Sequence, residues 1–421
     1  MSETMTKRAR KVARGAGAHA ASPRCSSGSS RRAHPYGVRP WGSYLADRMY
    51  AEVPLCRPPG LGRLHVLDDE LLLHVLGWLG AKDLCTIASV SRAVYVFVHH
   101  EELWRALALQ TLGQSGQPLR FKRSWKHTMC SWLALPGKGC HESRPISVRG
   151  FYSDLLFQPW FCTVTGVDPR WLAVDNIPRR CAAELSHDDF VREFEEPNRP
   201  VIISGIVEMW PAFLRWEREE LCAAHGDVEL NAGGYSMRLK DYFAYSSQTS
   251  SSPPRTAEEM PLYLFDQEFV SKIPELGSQY SVPEYFSEDL FSLLGPDARP
   301  AYRWLIIGPK RAGSTFHIDP NSTSAWNAVV RGSKKWILFP PRVPPPGVHP
   351  AADGSTVATS VSLVEWFLNY YKDSQVCVPS DRRQPMAELM RTCVRLGMSV
   401  CVRRNSRRLW EEWKACAGRG N

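Results

Sequence analysis

The chain has 421 residues, 43% of them apolar, 15 tryptophans and a formal net charge of +9. That length predicts two or three domains and a sizeable buried core. No run approaches the roughly 18 apolar residues of a membrane-spanning helix, and no apolar leader region follows the start, so neither a spanning helix nor a secretory signal is expected.

The positive charge is unevenly spread. Residues 1–40 carry nine Lys or Arg against one acid and residues 382–421 carry ten against three, which leaves the middle of the chain near −6. A nucleic-acid-binding fold needs its basic residues clustered on folded surface, and this distribution does not indicate one. None of the twelve cysteines forms a C-x2-C pair, so zinc-ribbon and thioredoxin readings fail and reduced, mostly buried thiols are expected.

Residues 1–60 are rich in Arg, Ser, Gly, Ala and Pro, a composition that cannot bury enough apolar surface to fold alone. The cluster Lys7-Arg8-Ala9-Arg10-Lys11 reads as a nuclear-import signal or as a solvated tail. The Arg/Ser-rich, acid-poor start also fits a transit peptide, though Glu3 argues against it. A nuclear location, with a cytoplasmic fraction, is the expectation.

Residues 61–109 change character. Asp68 is placed to cap a helix, with Leu67 and Leu72 as its hydrophobic staple. Leu71, Leu72, Val75, Leu76 and Leu79 recur at helical spacing, and Gly80 is expected to end that helix. A second helix opens at Lys82-Asp83-Leu84, and Glu102 to Arg105 close the unit. The wording of this segment resembles an F-box, carried by Leu67, Glu70-Leu71-Leu72, Leu76, Leu79, Asp83-Leu84, Val90-Ser91-Arg92 and Leu103-Trp104. Asp68 stands where an F-box usually has Pro. The resemblance implies docking to a Skp-type adaptor of cullin ubiquitin ligases, with Leu67, Leu71, Leu72, Leu76 and Leu79 as the partner-binding residues. The alternative is an ordinary helical hairpin packed on the next domain.

Residues 110–150 read as a connector in which Trp125 and Trp132 pack on a neighbouring domain. From 151 the pattern is mixed. Ser186 caps a helix, Pro200–Gly205 reads as a buried strand, and strands follow at 302–307, 315–318, 324–330 and 335–339. Their short spacing and Gly-containing turns predict a β-sandwich or barrel.

The chemistry lies in Gly313-Ser314-Thr315-Phe316-His317-Ile318-Asp319-Pro320. On a strand, residues two apart point to the same side, so His317 and Asp319 can face one point. An imidazole and a carboxylate at that spacing are two legs of a 2-His-1-carboxylate site for Fe(II), although an H-x-D taken alone is a common surface or turn pair. Downstream, "TSAWNAVVRGSKKWILFPP" reads as a hairpin turning at Arg331-Gly332-Ser333. It would place Lys334 on one face with Trp336 and Leu338. A partly buried ammonium needs an anionic partner, which a dicarboxylate would supply. The competing reading leaves Lys334 in water at the turn.

These strings, with "PVIISGIVEMWPA", "PLYLFD", "VPEYFSEDLFSLLG", "YRWLIIGPKRAGSTFHIDPNSTSAWNAVVRGSKKWILFPP" and "EWFLNYY", resemble a JmjC-domain 2-oxoglutarate oxygenase. The likeness is to the arginine demethylase and lysyl hydroxylase group once called phosphatidylserine-receptor-like. The resemblance implies an α+β chain, a small helical F-box module followed by a double-stranded β-helix (cupin-like jelly roll) over 151–384. It implies His317 and Asp319 as iron ligands, and Tyr263, Ser314, Asn327 and Lys334 as the 2-oxoglutarate pocket. No catalytic residue beyond the metal ligands is implied. Lys334 would pair with the distal carboxylate, and Tyr263 and Ser314 would hydrogen-bond it. The reaction would split 2-oxoglutarate to succinate and CO2 and hydroxylate a C–H bond. On an N-methyl group the product collapses with loss of formaldehyde; on a lysyl carbon the hydroxyl stays.

The likeness stops near Pro385. The family's second histidine comes several tens of residues after H-x-D, yet the only later histidine here is His349, in a proline-rich loop. Residues 385–421 show no period-2 alternation and read as an atypical basic tail, helical around 406–417 or unfolded, arising from an alternative transcript or a gene-model error. The β-fold is therefore expected to lack its closing strands and its third iron ligand, with His349, Cys393 and Cys401 as weak substitutes. Two functions stay open. One is a protein oxygenase acting on a basic peptide such as a histone tail. The other is a non-catalytic substrate receptor of a ubiquitin ligase.

Overall fold

A computed structural model describes residues 33–51, 53–115, 119–134, 146–251, 258–317, 319, 325–340, 343–351, 357–375 and, for the backbone alone, 395–401. The cluster at 7–11, the ends of the 315–318 and 324–330 segments, Cys393 and the segment 406–417 lie outside these residues.

The amino-terminal helices follow their caps. Asp68 accepts from the Leu71 amide at 2.8 Å and starts the helix Asp69–Leu76, with Asp69 and Glu70 in the first turn where the helix dipole favours acids. That helix ends at Gly77, and Gly80 instead N-caps the next helix, Ala81–Ile87. Ser91 accepts from the Val94 amide at 3.1 Å and starts Arg92–Val98, whose Ala93, Val94, Val96, Phe97 and Val98 are all buried. Glu102 to Arg105 do not close the unit. They belong to a longer helix, Glu101–Ser115. Within it Trp104 is fully buried and its indole N–H donates to the Val98 carbonyl at 2.6 Å.

The helical module shares one core with the domain that follows. The link is the helix Trp125–Trp132, capped by Ser124. Trp125 is fully buried between Phe121 and Tyr245, at ring centroid distances of 5.0 and 5.5 Å. Its indole N–H donates to Glu258, which also accepts from the Tyr245 hydroxyl. Arg105 donates to the Met260 carbonyl at 3.0 Å. Trp132, expected to pack likewise, is 39% exposed.

The second domain is built on a six-stranded antiparallel sheet. Its strands lie in the order β4 (Tyr235–Arg238), β3 (Glu229–Ala232), β5 (Leu264–Asp266), β6 (Arg303–Gly308), β10 (Arg395–Cys401) and β7 (Ala325–Val329). Leu264, Leu305, Ile307 and Ala328 face a buried layer that includes Tyr242, Phe243 and Tyr245 of the helix Leu239–Ser251. The Tyr242 hydroxyl donates to the Ile307 carbonyl at 2.6 Å. Two small ladders stand apart: β1 (Arg179–Cys181) pairs parallel with β2 (Ile202–Ser204), and β8 (His349–Pro350) pairs with β9 (Val357–Ala358). Ser186 caps its helix as expected.

Four details differ from the sequence reading. The strand at 202–204 is half-exposed rather than buried, because it pairs only with a three-residue strand among the described residues and Ile203 packs on a small cluster of Leu185, Phe190, Phe194 and Tyr285 rather than on the main core. Residues 315–317 form a loop. Residues 335–339 form no ladder beyond a single bridge residue, Trp336. The basic tail, read from the sequence as lacking alternation, supplies β10, in which Leu396, Met398 and Val400 alternate with Arg395, Gly397 and Ser399, and which hydrogen-bonds on one side to β6 and on the other to β7. Three apolar residues at alternate positions inside a basic stretch are a short strand signal, and the ladders to both neighbours complete it.

Candidate metal and 2-oxoglutarate site

The loop that carries the H-x-D pair leaves the end of β6 under several constraints. A Cβ at Gly308 would come within 2.8 Å of the Tyr263 ring, so only glycine lets that ring lie against the strand. Arg311 takes a left-handed φ of +76°, a conformation that costs a non-glycine residue energy and needs compensation. Its guanidinium supplies that compensation. It donates to the Thr163 carbonyl at 3.0 Å and to the Cys162 carbonyl, capping the end of the helix Asp154–Val164. Phe316 packs on Trp366, with ring centroids 4.8 Å apart.

His317 and Asp319 follow. The Nδ1 of His317 lies 2.6 Å from the Thr315 carbonyl, which fixes the ring, and Nε2 lies 3.3 Å from Asp319 Oδ1. The Asp319 carboxylate raises the imidazole's pKa, against the lowering effect of burial. The pair thus converges as the H-x-D spacing requires, although from a loop rather than a strand. An N–H held by a carbonyl, with the other ring nitrogen beside a carboxylate, is the donor arrangement that binds a divalent transition metal. The two donors fit iron as part of a ligand set. Among the described residues no group of three His, Cys, Asp or Glu side chains gathers at one point. His349, exposed on β8, therefore does not complete the set, and Cys401 is described by its backbone alone.

The second half of the site is Lys334. Its Nζ lies 3.3 Å from Asn327 Oδ1 on β7 and 4.5 Å from the centroid of the Trp336 ring. Burial brings the ammonium down to about 8, with Asp319 acting in the opposite direction. Lys334 is therefore not the solvated turn residue of the competing reading. Tyr263 is half-buried, and burial raises its phenol. Ser314 is exposed. Trp336, which the sequence places on one face with Lys334, contributes its ring face to that lysine. Arg311 was missed, because a left-handed backbone at an arginine leaves no sequence signal.

On the helical module the proposed partner-binding leucines divide. Leu72 and Leu76 are 2% and 3% exposed and belong to the core, so they cannot touch a partner. Leu67 and Leu79 are partly buried against that core. Leu71 is 52% exposed and shares the outer surface with Val66, Val75 and Trp78, the last 82% exposed. The stripe 71, 75, 78 has the same helical spacing as 72, 76, 79, and sequence reasoning merged the two.

A capped helical module joined to an antiparallel sheet bearing an H-x-D loop and a half-buried lysine agrees with an F-box-like region followed by a cupin-like domain. Residues 69–110 match the F-box-like family and residues 187–366 match the cupin-like domain family. The chain is 48% identical over 342 residues to an arginine-specific demethylase, JMJ22, of Arabidopsis thaliana, covering 81% of this chain and 65% of that protein. It is 35% identical over 204 residues to the bifunctional arginine demethylase and lysyl-hydroxylase psr-1 of Caenorhabditis elegans, covering 47% and 50%. It is 32% identical over 183 residues to the human 2-oxoglutarate and iron-dependent oxygenase JMJD4, covering 37% and 42%. The chain thus spans less than two thirds of the length of each of these relatives. JmjC domains use Fe(II) and 2-oxoglutarate.

Proposed function

We propose that this chain is an Fe(II)- and 2-oxoglutarate-dependent oxygenase acting on protein side chains, by demethylation of N-methyl-arginine or N-methyl-lysine or by lysyl hydroxylation. The observation that carries the proposal is a half-buried lysine, Lys334, hydrogen-bonded to Asn327 and electrostatically coupled to the aspartate of the His317–Asp319 pair. A partly desolvated cation held there suits a dicarboxylate co-substrate. When bound, Fe(II) and 2-oxoglutarate would let O2 act as the oxidant, one oxygen atom entering succinate as 2-oxoglutarate loses CO2 and the other hydroxylating a substrate C–H bond. His317 Nε2 and Asp319 Oδ1 would hold the metal, with the Thr315 carbonyl keeping the imidazole in orientation. Lys334 would take the distal carboxylate, Asn327 would hold the ammonium in place, and the hydroxyls of Tyr263 and Ser314 would donate to the same carboxylate. Succinate formation with Fe(II) present, abolished in His317→Ala, tests the proposal.

The F-box-like module supports attachment to a ubiquitin ligase through a Skp-type adaptor, on the surface of Leu71, Val75 and Trp78. The basic cluster at 7–11 supports nuclear import, and a reporter fused to residues 1–60 that stays diffuse would refute it. A second reading, a non-catalytic substrate receptor, is favoured by the two-donor set at the metal site. It requires adaptor binding without succinate formation.

A further inference from the structure

Two aromatic residues on the site-bearing face of the sheet, Phe265 and Trp304, have no part in the chemistry above and adjoin Tyr263, which does. In the β5–β6 ladder Leu264 pairs with Ile307 and Asp266 with Leu305, and these four side chains are buried on one face. Phe265 pairs with Ile306 on the other face. Tyr263, two residues from Phe265, lies on that face against Gly308. Phe265 is 40% exposed in a strand paired on both sides. Its ring lies 5.8 Å from Trp304 and 6.2 Å from Tyr263, at interplanar angles of 33° and 40°, so the three rings form a shallow fan. Trp304 is opposite Ser399, and Ser399 is opposite Asn327. Trp304 therefore lies two strand spacings, roughly 10 Å, and Phe265 three, roughly 14 Å, from the strand of the Asn327 that holds Lys334.

We infer that Phe265 and Trp304, with Tyr263 at the edge, form the platform that receives the cationic side chain of the substrate, an N-methylated arginine or lysine in a basic peptide. The inference rests on the oxygenase reading of the site. Phe265 is exposed and Trp304 beside it is partly exposed, which together present contiguous ring surface in the middle of a sheet, a feature that marks ligand sites. Ring faces carry negative potential, and alkylated cations, which shed water easily, are the ligands they bind best. The middle of the chain is acidic, near −6, which draws a basic peptide rather than an acidic one.

The test is titration of the full chain, with 2-oxoglutarate present, against three versions of one short Arg-rich synthetic peptide. One carries a dimethylarginine, one an unmodified arginine and one the neutral isostere citrulline. The dimethylarginine peptide is expected to bind most tightly and the citrulline peptide least. Phe265→Leu, which keeps apolar bulk but removes the ring, is expected to weaken the methylated peptide roughly three- to thirty-fold. Phe265→Tyr is expected to restore it, and 2-oxoglutarate affinity should stay unchanged in both. Equal binding of all three peptides, or unchanged binding in Phe265→Leu, overturns the inference. If 2-oxoglutarate fails to bind while the peptides are still discriminated, the oxygenase reading falls and the platform stands.

Discussion

The Nζ of Lys334 sits 3.3 Å from Oδ1 of Asn327, so a lysine in the segment after Gly332 is tied to a side chain on β7. Because Lys334 is partly desolvated, the neutral amine is accessible at moderately alkaline pH. Its ammonium is brought down to about 8, and a carboxylate ligand binds only the charged form. Affinity for 2-oxoglutarate should therefore be flat below pH 8 and fall about tenfold per unit above it. Lys334→Met should weaken binding by at least thirtyfold, on the scale of about 2–5 kcal/mol for losing one partner of a buried charge pair. Calorimetric titration across pH 6 to 10 measures both.

Arg311 anchors the loop to the end of the helix Asp154–Val164. Arg311→Ala removes hydrogen bonds from a charged donor, each worth about 1.5–3 kcal/mol. Amides of residues 312–317 should exchange faster in this variant, while β3 and β4 on the far side of the sheet keep their protection. Uniform loss of protection would instead mean that Arg311 supports the whole domain.

Glu101 accepts from the Trp125 amide at 2.6 Å at the junction of the two units. Burial, reinforced by Glu258, pushes its carboxyl up to about 7. The folded state then holds a proton that the unfolded state has released between about pH 4.5 and 7, so stability declines as pH rises through that window. Glu101→Gln removes this dependence and should stabilise the chain at pH 8 by on the order of 1 kcal/mol, a few degrees in Tm, with no gain near pH 4. Melting curves at the two pH values check the sign.

The two leucine stripes of the amino-terminal module should separate cleanly. Trp78→Asp, at an 82% exposed side chain, should weaken binding to a Skp-type adaptor at least tenfold and shift Tm by less than about a degree. Leu72→Ala, at a 2% exposed side chain, should cost about 2–5 kcal/mol of stability. A Trp78→Asp variant that still bound the adaptor with full affinity would remove this surface from the interface.

Much of this was legible in the sequence because the signals are local. Asp68, Ser91 and Ser186 announce their helices by cap chemistry, and the H-x-D spacing brings His317 and Asp319 together even though the segment is a loop. What was not legible depends on tertiary pairing. Gly80 reads as a stop, but the chain turns earlier and uses that residue as a start. The strand Arg395–Cys401 alternates over only three apolar residues, Leu396, Met398 and Val400, a signal easily lost in a basic stretch, and its place is set by the two edges it joins. The sharing of Trp125, Tyr245 and Glu258 between the units comes from residues more than a hundred positions apart, beyond the reach of any periodicity.

The most direct measurement is anaerobic titration of the full chain with Fe(II) and 2-oxoglutarate, followed by calorimetry, with His317→Ala and Lys334→Met in parallel. The oxygenase assignment requires saturable 2-oxoglutarate binding that is strengthened by Fe(II), loses that strengthening in His317→Ala and disappears in Lys334→Met. Absence of saturable binding in the unmodified chain would contradict it and leave the adaptor-docking role alone.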